Sequence, residues 1–273
     1  MYNDFFGFRE NPFSMTADPE FFYASDHHKE AFSHLIYGIQ QRSGILVVTG
    51  EIGTGKTTLC RAFLNRLEPN VKTAFVFNPY FSELQLLQLI VKDLGIQGLH
   101  KNKLALIDAL NAFLIEETLQ GNNVALIIDE AQNLKPRQLE QIRLLSNLET
   151  EKNKLLQIIL VGQPELLDKL RLSSLRQLTQ RISVRYHILP LQKKDTGEYI
   201  RHRIQVASLK KNGQPNIDFT PEAVDAIFQL SQGTPRLINV LCDRALLSAF
   251  VQETRRIDEQ LVYRSAREIQ FAK

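Results

Sequence analysis

A glycine-rich stretch from Gly50 to Thr57 has the residue types and the spacing of a loop that binds phosphate groups. Its sequence GEIGTGKT fits the pattern G-x-x-x-x-G-K-[ST] and follows the apolar run 45–48. Glycines let the backbone curl until successive N–H groups and a helix N-terminus face one anion. We expect Lys56 to reach the β- and γ-phosphates of a nucleotide and the Thr57 hydroxyl to bind Mg²⁺. The predicted nucleotide contacts are Gly50, Glu51, Ile52, Gly53, Thr54, Gly55, Lys56, Thr57 and Thr58.

Two adjacent carboxylates, Asp129 and Glu130, end the apolar run 124–128. Asp129 is placed to hold Mg²⁺ beside Thr57, and Glu130 suits a general base for the attacking water in phosphoryl transfer. Loops at the carboxyl ends of parallel strands share one crevice, so these acids and the phosphate loop should converge there. An Asp-Glu pair after an apolar run is common by chance, but one that follows a phosphate loop with an intervening strand and helices is much less so.

Two further polar residues lie at the ends of predicted elements, Gln163 at the end of a strand and Arg236 at the start of a helix. Gln163 lies at the tip of the next strand, where its amide either orients the water or γ-phosphate or only satisfies loop backbone groups, and both readings stay open. Arg236 begins a helix after Gly233, where its charge is unfavourable with the helix dipole. That mismatch favours a functional role, in which the arginine moves onto the γ-phosphate and reports the nucleotide state.

Strands and helices alternate up to about residue 190, which predicts a doubly wound parallel sheet. The strands are expected at 45–48, 72–78, 124–128, 155–161 and 182–188. The last of them alternates in polarity and should lie near an edge. Helical patterns without further strands follow at 195–208, 220–231, 234–252 and 258–270 and predict a separate all-helical domain. The predicted domains are a strap over 1–25, a nucleotide-binding domain over 26–190 and a helical lid over 191–273.

The strap is rich in aromatic side chains and turn formers, including Phe6, Phe8, Phe13 and Phe21. Such a segment must bury itself, and we expect it to pack on the domain that follows it. A second interpretation is that it also closes over the adenine base, because bases favour apolar, aromatic walls.

Composition sets broad bounds on the class of protein. The 273 residues, 44% of them hydrophobic, can form one large α/β domain and a smaller one. A net charge of +3 neither requires nor excludes nucleic acid. Cys60 and Cys242 lack metal-ligand spacing and predict buried thiols in a reducing cytoplasm. No apolar run approaches the ~18 residues that span a bilayer, so no membrane segment is expected. Residues 210–215 are predicted to form an exposed turn.

Taken in this order, the phosphate loop (Walker A), Asp129-Glu130 (Walker B), Gln163 and Arg236 resemble an AAA+ ATPase of the ExeA/GspA family. The resemblance covers nearly the whole chain and rests on the blocks FGFRENPF (6–13), DEAQNL (129–134), LVGQPEL (160–166) and PRLIN (235–239). It implies an AAA+ fold with a five-stranded sheet and hydrolysis of ATP with Mg²⁺. It also implies that Gln163 stands at the sensor 1 position, which is more often Asn, Arg236 at sensor 2, and Arg181 near the arginine-finger position.

Family members include ATPase parts of secretion-pathway proteins, which usually continue into a membrane helix and a peptidoglycan-binding region, and shorter pilus-biogenesis proteins. The resemblance implies an assembly factor for a type II secretion or pilus machine that works through ATP-dependent homo-oligomers and meets an envelope-machine partner. It is expected in the cytoplasm, or at the cytoplasmic face of the inner membrane if a longer chain continues. Since the sequence stops at Lys273, it is expected to be a short member or an excised ATPase region.

A different class of function remains open, because the same body resembles transposition regulators and origin-recognition proteins that bind duplex DNA as ATP-dependent oligomers. Phosphate contacts would then come from Arg137, Arg143, Arg171 and Arg176. No DNA-reading helix-turn-helix is evident, so DNA binding is the runner-up. A nucleotide switch with little turnover is disfavoured by Glu130. Arg176 and Arg185 rival Arg181 as the arginine that enters a neighbouring subunit's site.

Overall fold

A computed structural model describes residues 2–77, 79–98, 102–150, 153–209 and 217–270. They group into two compact units. The sheet unit consists of residues 26–52 and 59–188, and the helical unit consists of residues 1–25, 53–58 and 189–273. The turn predicted at 210–215 lies outside the described residues.

The sheet unit contains a five-stranded sheet in the order β2-β3-β4-β1-β5. The strands are β1 (Ile45–Gly50), β2 (Val71–Val76), β3 (Asn123–Ile128), β4 (Gln157–Gly162) and β5 (Ile182–Ile188), and every pairing is parallel. β1 and β4 are buried along their whole length, as expected of central strands covered on both faces. The predicted parallel five-stranded sheet is confirmed.

β5 lies at an edge of this sheet, beside β1. Its residues alternate between half-buried and exposed from Ile182 to His187, which matches the predicted edge strand. Because all the strands are parallel, β1, β3 and β4 end at the same edge, at Gly50, Ile128 and Gly162. The segments that follow these three strands contain most of the predicted site residues.

Helices precede and connect the strands of the sheet unit. They include Asp26–Gln40, Glu83–Asp93, Lys103–Leu119, Pro136–Leu145 and the shorter Glu165–Leu170 and Arg176–Thr179. Ser82 caps the helix Glu83–Asp93, since its Oγ accepts the Gln85 N–H at 3.2 Å and its own N–H donates to Gln85 Oε1 at 2.8 Å. The apolar faces of these helices bury Leu87, Leu110 and Ile142 completely against the sheet.

The helical unit is built from the helices Lys193–Ala207, Pro221–Ser231, Pro235–Val251 and Glu259–Gln270. Their bounds are close to those predicted, and the presence of a helical C-terminal part is confirmed. One addition is a pair of two-residue parallel strands, β6 (Asp218–Phe219) and β7 (Arg256–Ile257). The sequence predicted no strand beyond residue 191, because two residues are too few to show an alternating pattern.

The aromatic strap belongs to the core of the helical unit. Phe6, Phe8, Phe13 and Phe21 are at most 4% exposed and pack with the buried residues of the lid helices. The expectation that the strap packs on the domain that follows it in sequence is therefore wrong. Burial of aromatic side chains is dictated by their apolar area, but composition does not say which partner provides the burial.

A buried arginine fixes the strap to the lid. Arg203 is 5% exposed, and its Nη2 donates to the Ser14 carbonyl at 3.0 Å while its Nε donates to the Pro12 carbonyl at 2.5 Å. Its guanidinium carbon lies 4.7 Å from the centre of the Phe21 ring. Backbone carbonyls and an aromatic face together replace the hydration that this cation loses on burial.

Gly233 closes the connection into the longest lid helix and is a position where only glycine fits. Its φ is +72°, and a β-carbon there would lie 1.9 Å from the Leu191 carbonyl oxygen. We expect Gly233→Ala to lower the free energy of unfolding by at least about 2 kcal/mol, because backbone strain and a clash add together. Urea unfolding measures this, with Gly121→Ala as the matched control, since Gly121 has φ +82° but open space around the added carbon. Equal losses in the two variants would contradict the clash.

Two further expectations concern cysteine and membranes. Cys60 and Cys242 are both buried, as predicted, and burial raises the pKa of the Cys242 thiol well above its ordinary value. Among the residues that the structure describes, no helix combines the length and the apolar character needed to cross a bilayer.

Candidate functional site

The phosphate loop has the backbone that its glycines predict. β1 ends at Gly50, and a helix begins at Lys56 and runs to Leu64. Between them Gly53 and Gly55 have φ of +81° and +93°, a region that other residues seldom adopt. The turn thus delivers the chain directly into a helix N-terminus, where backbone N–H groups without intrahelical partners can face an anion.

Side chains of the loop differ sharply in exposure. Thr54 is fully buried and Lys56 is only 6% exposed, whereas the Ile52 side chain is 59% exposed. A lysine held this deep at a helix N-terminus places positive charge where the helix dipole also favours an anion. The loop therefore has the charge and the backbone shape to hold phosphate oxygens.

Within the helical unit, Arg236 lies against this loop. The Arg236 N–H donates to the Gly53 carbonyl at 3.2 Å, one residue into the helix Pro235–Val251. A β-carbon added at Gly53 would lie 2.6 Å from the β-carbon of Arg236. The structure thus brings Arg236, singled out by sequence for its position at a helix start, into direct contact with the phosphate loop.

Asp129 directly follows β3 at the carboxyl edge of the sheet. It is fully buried, its N–H donates to the Val76 carbonyl at 2.9 Å, and its Oδ1 accepts the Glu130 N–H at 2.9 Å. Buried carboxylates are paired, hydrogen-bonded or bound to cations. Among the described residues no cluster of three or more His, Cys, Asp or Glu side chains could hold a metal. The carboxylate oxygens of Asp129 are ligands of the kind that Mg²⁺ takes in nucleotide sites.

Glu130 adopts an unusual backbone conformation. Its φ of 53° and ψ of 37° lie in the left-handed region, which costs an ordinary residue about 1–2 kcal/mol. The half-buried side chain accepts two hydrogen bonds on Oε2, from Gln132 Nε2 at 2.5 Å and from Gln163 Nε2 at 3.4 Å. Backbone strain of this kind persists where the surroundings hold it in place, and it clusters at functional sites.

Gln163 contacts Glu130 and also forms a hydrogen bond with Gln132. Its backbone N–H donates to Gln132 Oε1 at 3.0 Å, at the end of β4. The side-chain amide of Gln163 thus lies at the Glu130 carboxylate, while its backbone N–H is held by the side chain of a loop residue. Gln132 was not predicted to have a role. In the sequence Gln132 is only an amide residue two positions after Glu130. Its contact with Glu130 could be inferred only once the turn Ala131–Asn133 is known.

The arginines proposed for a neighbouring site lie elsewhere on the sheet unit. Arg181 precedes β5 and its Nη1 donates to Ser146 Oγ at 3.4 Å. It sits at the amino edge of the sheet, about 20 Å along the strand direction from the edge that holds Glu130. Arg185 lies on β5, is exposed and donates to the Thr179 carbonyl at 3.2 Å, and Arg176 is exposed on a short helix. None of the three therefore joins Glu130 within the sheet unit of its own chain.

Comparison with known proteins places these features in a family. Residues 39–170 match the family described as AAA domain. The chain is 44% identical over 265 residues to general secretion pathway protein A of Aeromonas hydrophila, and the match covers 94% of this chain and 46% of that protein. The chain thus spans less than half the length of this relative.

Solved structures show the same fold. The ORC2 protein of Aeropyrum pernix, solved in ADPNP-ADP complexes, matches with a TM-score of 0.71 at 17% identity, over 96% of this chain and 72% of that one. The RuvB Holliday junction branch migration motor of Thermotoga maritima matches with a TM-score of 0.54 at 19% identity, over 88% and 68% of the two chains. These identities show the fold alone. The resemblance to the ExeA/GspA family is confirmed by the 44% identity to general secretion pathway protein A over 94% of this chain and by the AAA domain match over residues 39–170.

Proposed function

We propose that this chain binds ATP with Mg²⁺ at the phosphate loop, hydrolyses it with Glu130 as the general base, and uses the nucleotide to control its own oligomerisation. The observation that carries the proposal is the carboxyl edge of one sheet, where Gly50, Asp129 and Gln163 lie at the ends of β1, β3 and β4. In parallel sheets this edge is where ligands bind.

The chain offers the groups that each step requires. Thr57 and Asp129 would hold Mg²⁺, which when bound neutralises charge on the β- and γ-phosphate oxygens. Glu130 accepts a proton from the attacking water, whose oxygen bonds to the γ-phosphorus as the bond to the bridging oxygen breaks, giving ADP and phosphate. Gln163 orients that water, and Lys56 and Arg236 balance the charge of the phosphates.

The proposed biological role is assembly of an envelope secretion machine. Support comes from the similarity to general secretion pathway protein A, which spans nearly all of this chain. A type II secretion or pilus system would supply the protein partner. We place the reaction in the cytoplasm, where ATP is available and thiols such as Cys60 and Cys242 stay reduced.

DNA binding is the competing function, and ion pairs weaken two of its four candidate arginines. Arg143 pairs with Glu140 at 2.7 Å and Arg171 with Asp168 at 3.0 Å. A paired guanidinium contributes less to a phosphate contact because its charge is already compensated. Fluorescence anisotropy with duplex DNA, with and without ATP and across salt concentrations, separates the two functions. Tight ATP-dependent binding at physiological salt would contradict a purely envelope role.

The oligomeric part of the proposal predicts that Arg181 acts on the nucleotide of a neighbouring subunit. Its guanidinium is always charged and its planar donors suit the oxygens of a transferring phosphoryl group. Specific ATPase activity should then rise with protein concentration. Arg181→Ala and Lys56→Ala should each be inactive alone, while a mixture of the two should recover activity, because some interfaces join an intact loop to an intact arginine.

Steady-state phosphate release from the separate and mixed proteins measures this recovery. Arg176→Ala and Arg185→Ala, mixed with Lys56→Ala in the same way, test the two rival arginines. An Arg181→Ala protein that hydrolyses ATP normally at every concentration would remove Arg181 from the site.

A further inference from the structure

We propose that Gln132 is a positioning residue for Glu130, which holds one oxygen of the carboxylate so that the other is presented to water. The inference rests on the proposed role of Glu130 as the base. It assigns to Gln132 a function that neither its motif nor its chemistry alone would indicate, since a neutral amide takes no proton from water.

Both ends of the Gln132 carboxamide are in use. Its Nε2 donates to Glu130 Oε2 at 2.5 Å, and its Oε1 accepts the Gln163 N–H at 3.0 Å. The amide therefore bridges the loop after β3 and the end of β4 and cannot rotate without breaking one of the two bonds. A side chain fixed at both ends is a rigid support for the group that it contacts.

The backbone that carries Gln132 is held as well. Lys169 Nζ donates to the Gln132 carbonyl, and also to the Leu134 carbonyl at 3.0 Å. The Asn133 N–H donates to the Glu130 carbonyl at 2.9 Å and closes the short turn. The whole segment from Glu130 to Leu134 is thus tied to itself and to the helix Glu165–Leu170.

Gly162 completes the enclosure from the side of β4. A β-carbon there would lie 2.8 Å from Gln132 Oε1 and 3.2 Å from the Gln132 backbone nitrogen. A side chain at position 162 would therefore overlap Gln132 and push its amide out of place. The substitution Gly162→Ala is thus a second way to displace the amide without changing Gln132 itself.

The geometry gives the two oxygens of Glu130 different tasks. Both amide donors, from Gln132 and Gln163, converge on Oε2. Holding Oε2 fixes the rotation of the carboxylate and leaves Oε1 to accept the proton. A displacement of about 1 Å in a reacting group lowers the rate by up to about 100-fold, so the support is expected to act on turnover and not on nucleotide binding.

The test replaces Gln132 by Met, which keeps the length of the side chain and removes both hydrogen bonds. We expect kcat to fall about 10- to 100-fold with no change in the Kd for ATP-Mg²⁺. Gln141→Met is the matched control. Gln141 is 3% exposed in the same unit, and neither of its amide atoms has a hydrogen-bond partner among the described residues, so its replacement should leave kcat unchanged.

A double-mutant cycle distinguishes positioning from a structural role. If Gln132 acts through Glu130, adding Gln132→Met to Glu130→Gln should cause no further loss of kcat. Losses that multiply would contradict the proposal, as would a fall in ATP affinity equal to the fall in kcat. If Gln132→Met fails to fold, Gly162→Ala is measured instead. It should show the same fall in kcat, with no change in the Kd for ATP-Mg²⁺. An unchanged kcat in Gly162→Ala would overturn the inference.

The outcome also separates this inference from the proposed function. A Glu130→Gln protein with normal turnover would remove Glu130 as the base, and with it the reason for a support. If Glu130→Gln is inactive but Gln132→Met is as active as Gln141→Met, the role of Gln132 is refuted. The role of Glu130 as the base is then unaffected.

Discussion

The Glu130→Gln protein is expected to bind ATP as the unchanged chain does and to hydrolyse it at least about 100-fold more slowly. Gln has the size of Glu and can still bond to the amides of Gln132 and Gln163, but it cannot take a proton from water. The left-handed backbone at this position is no harder for Gln than for Glu, so the fold should be unaffected. Phosphate release gives kcat, and titration with a fluorescent ATP analogue gives the affinity.

The control for this variant is Glu165→Gln. Glu165 is an exposed carboxylate in the first turn of the helix that follows β4, and its replacement removes the same charge near the same edge of the sheet. It should retain full turnover. If Glu130→Gln lost ATP affinity to the same degree as turnover, Glu130 would hold the metal or the structure and would not be the base.

The Lys56→Ala protein is expected to lose ATP binding and turnover together. Lys56 is the one cation in the stretch 50–58, and it begins the helix with its side chain 94% buried. Removing a charged hydrogen-bond donor costs about 1.5–3 kcal/mol per bond, which is roughly 10- to 100-fold in affinity, and the transferring phosphoryl group depends on it further.

Binding of the fluorescent ATP analogue and phosphate release are measured side by side, with Lys72→Ala as the control. Lys72 is an exposed lysine on β2, so its replacement makes the same change in net charge away from the loop. Full ATPase activity in Lys56→Ala would show that the phosphate loop is not the nucleotide site.

Elements whose signal is local could be predicted from the sequence. β1 and β3 contain the apolar runs 45–48 and 124–128 that predict them. The phosphate loop is predicted by its motif, and Gly53 and Gly55 then adopt the positive φ that its turn requires. In each case the cause of the structure lies within a few residues of the chain.

Features that depend on distant partners could not be predicted in this way. The function suggested here for Gln132 depends on the end of β4 and on the left-handed turn at Glu130, and neither is visible in the residues around it. The strap shows the same limit on a larger scale. Its aromatic content predicts burial, but Phe8 and Phe13 find their partners in helices that begin after residue 190.

The shared core of strap and lid has a consequence for how the protein is made. Phe21 leaves the ribosome 170 residues before Leu191, the first lid residue of that core (191 − 21 = 170). At about 5–20 residues per second, the strap waits roughly 10–30 s for its partner during synthesis. Throughout that interval its phenylalanines have no native site to enter, while the sheet unit can already fold behind them. The nascent strap is therefore a segment on which a chaperone would act, and a protein truncated before residue 191 would leave that apolar segment without its native core.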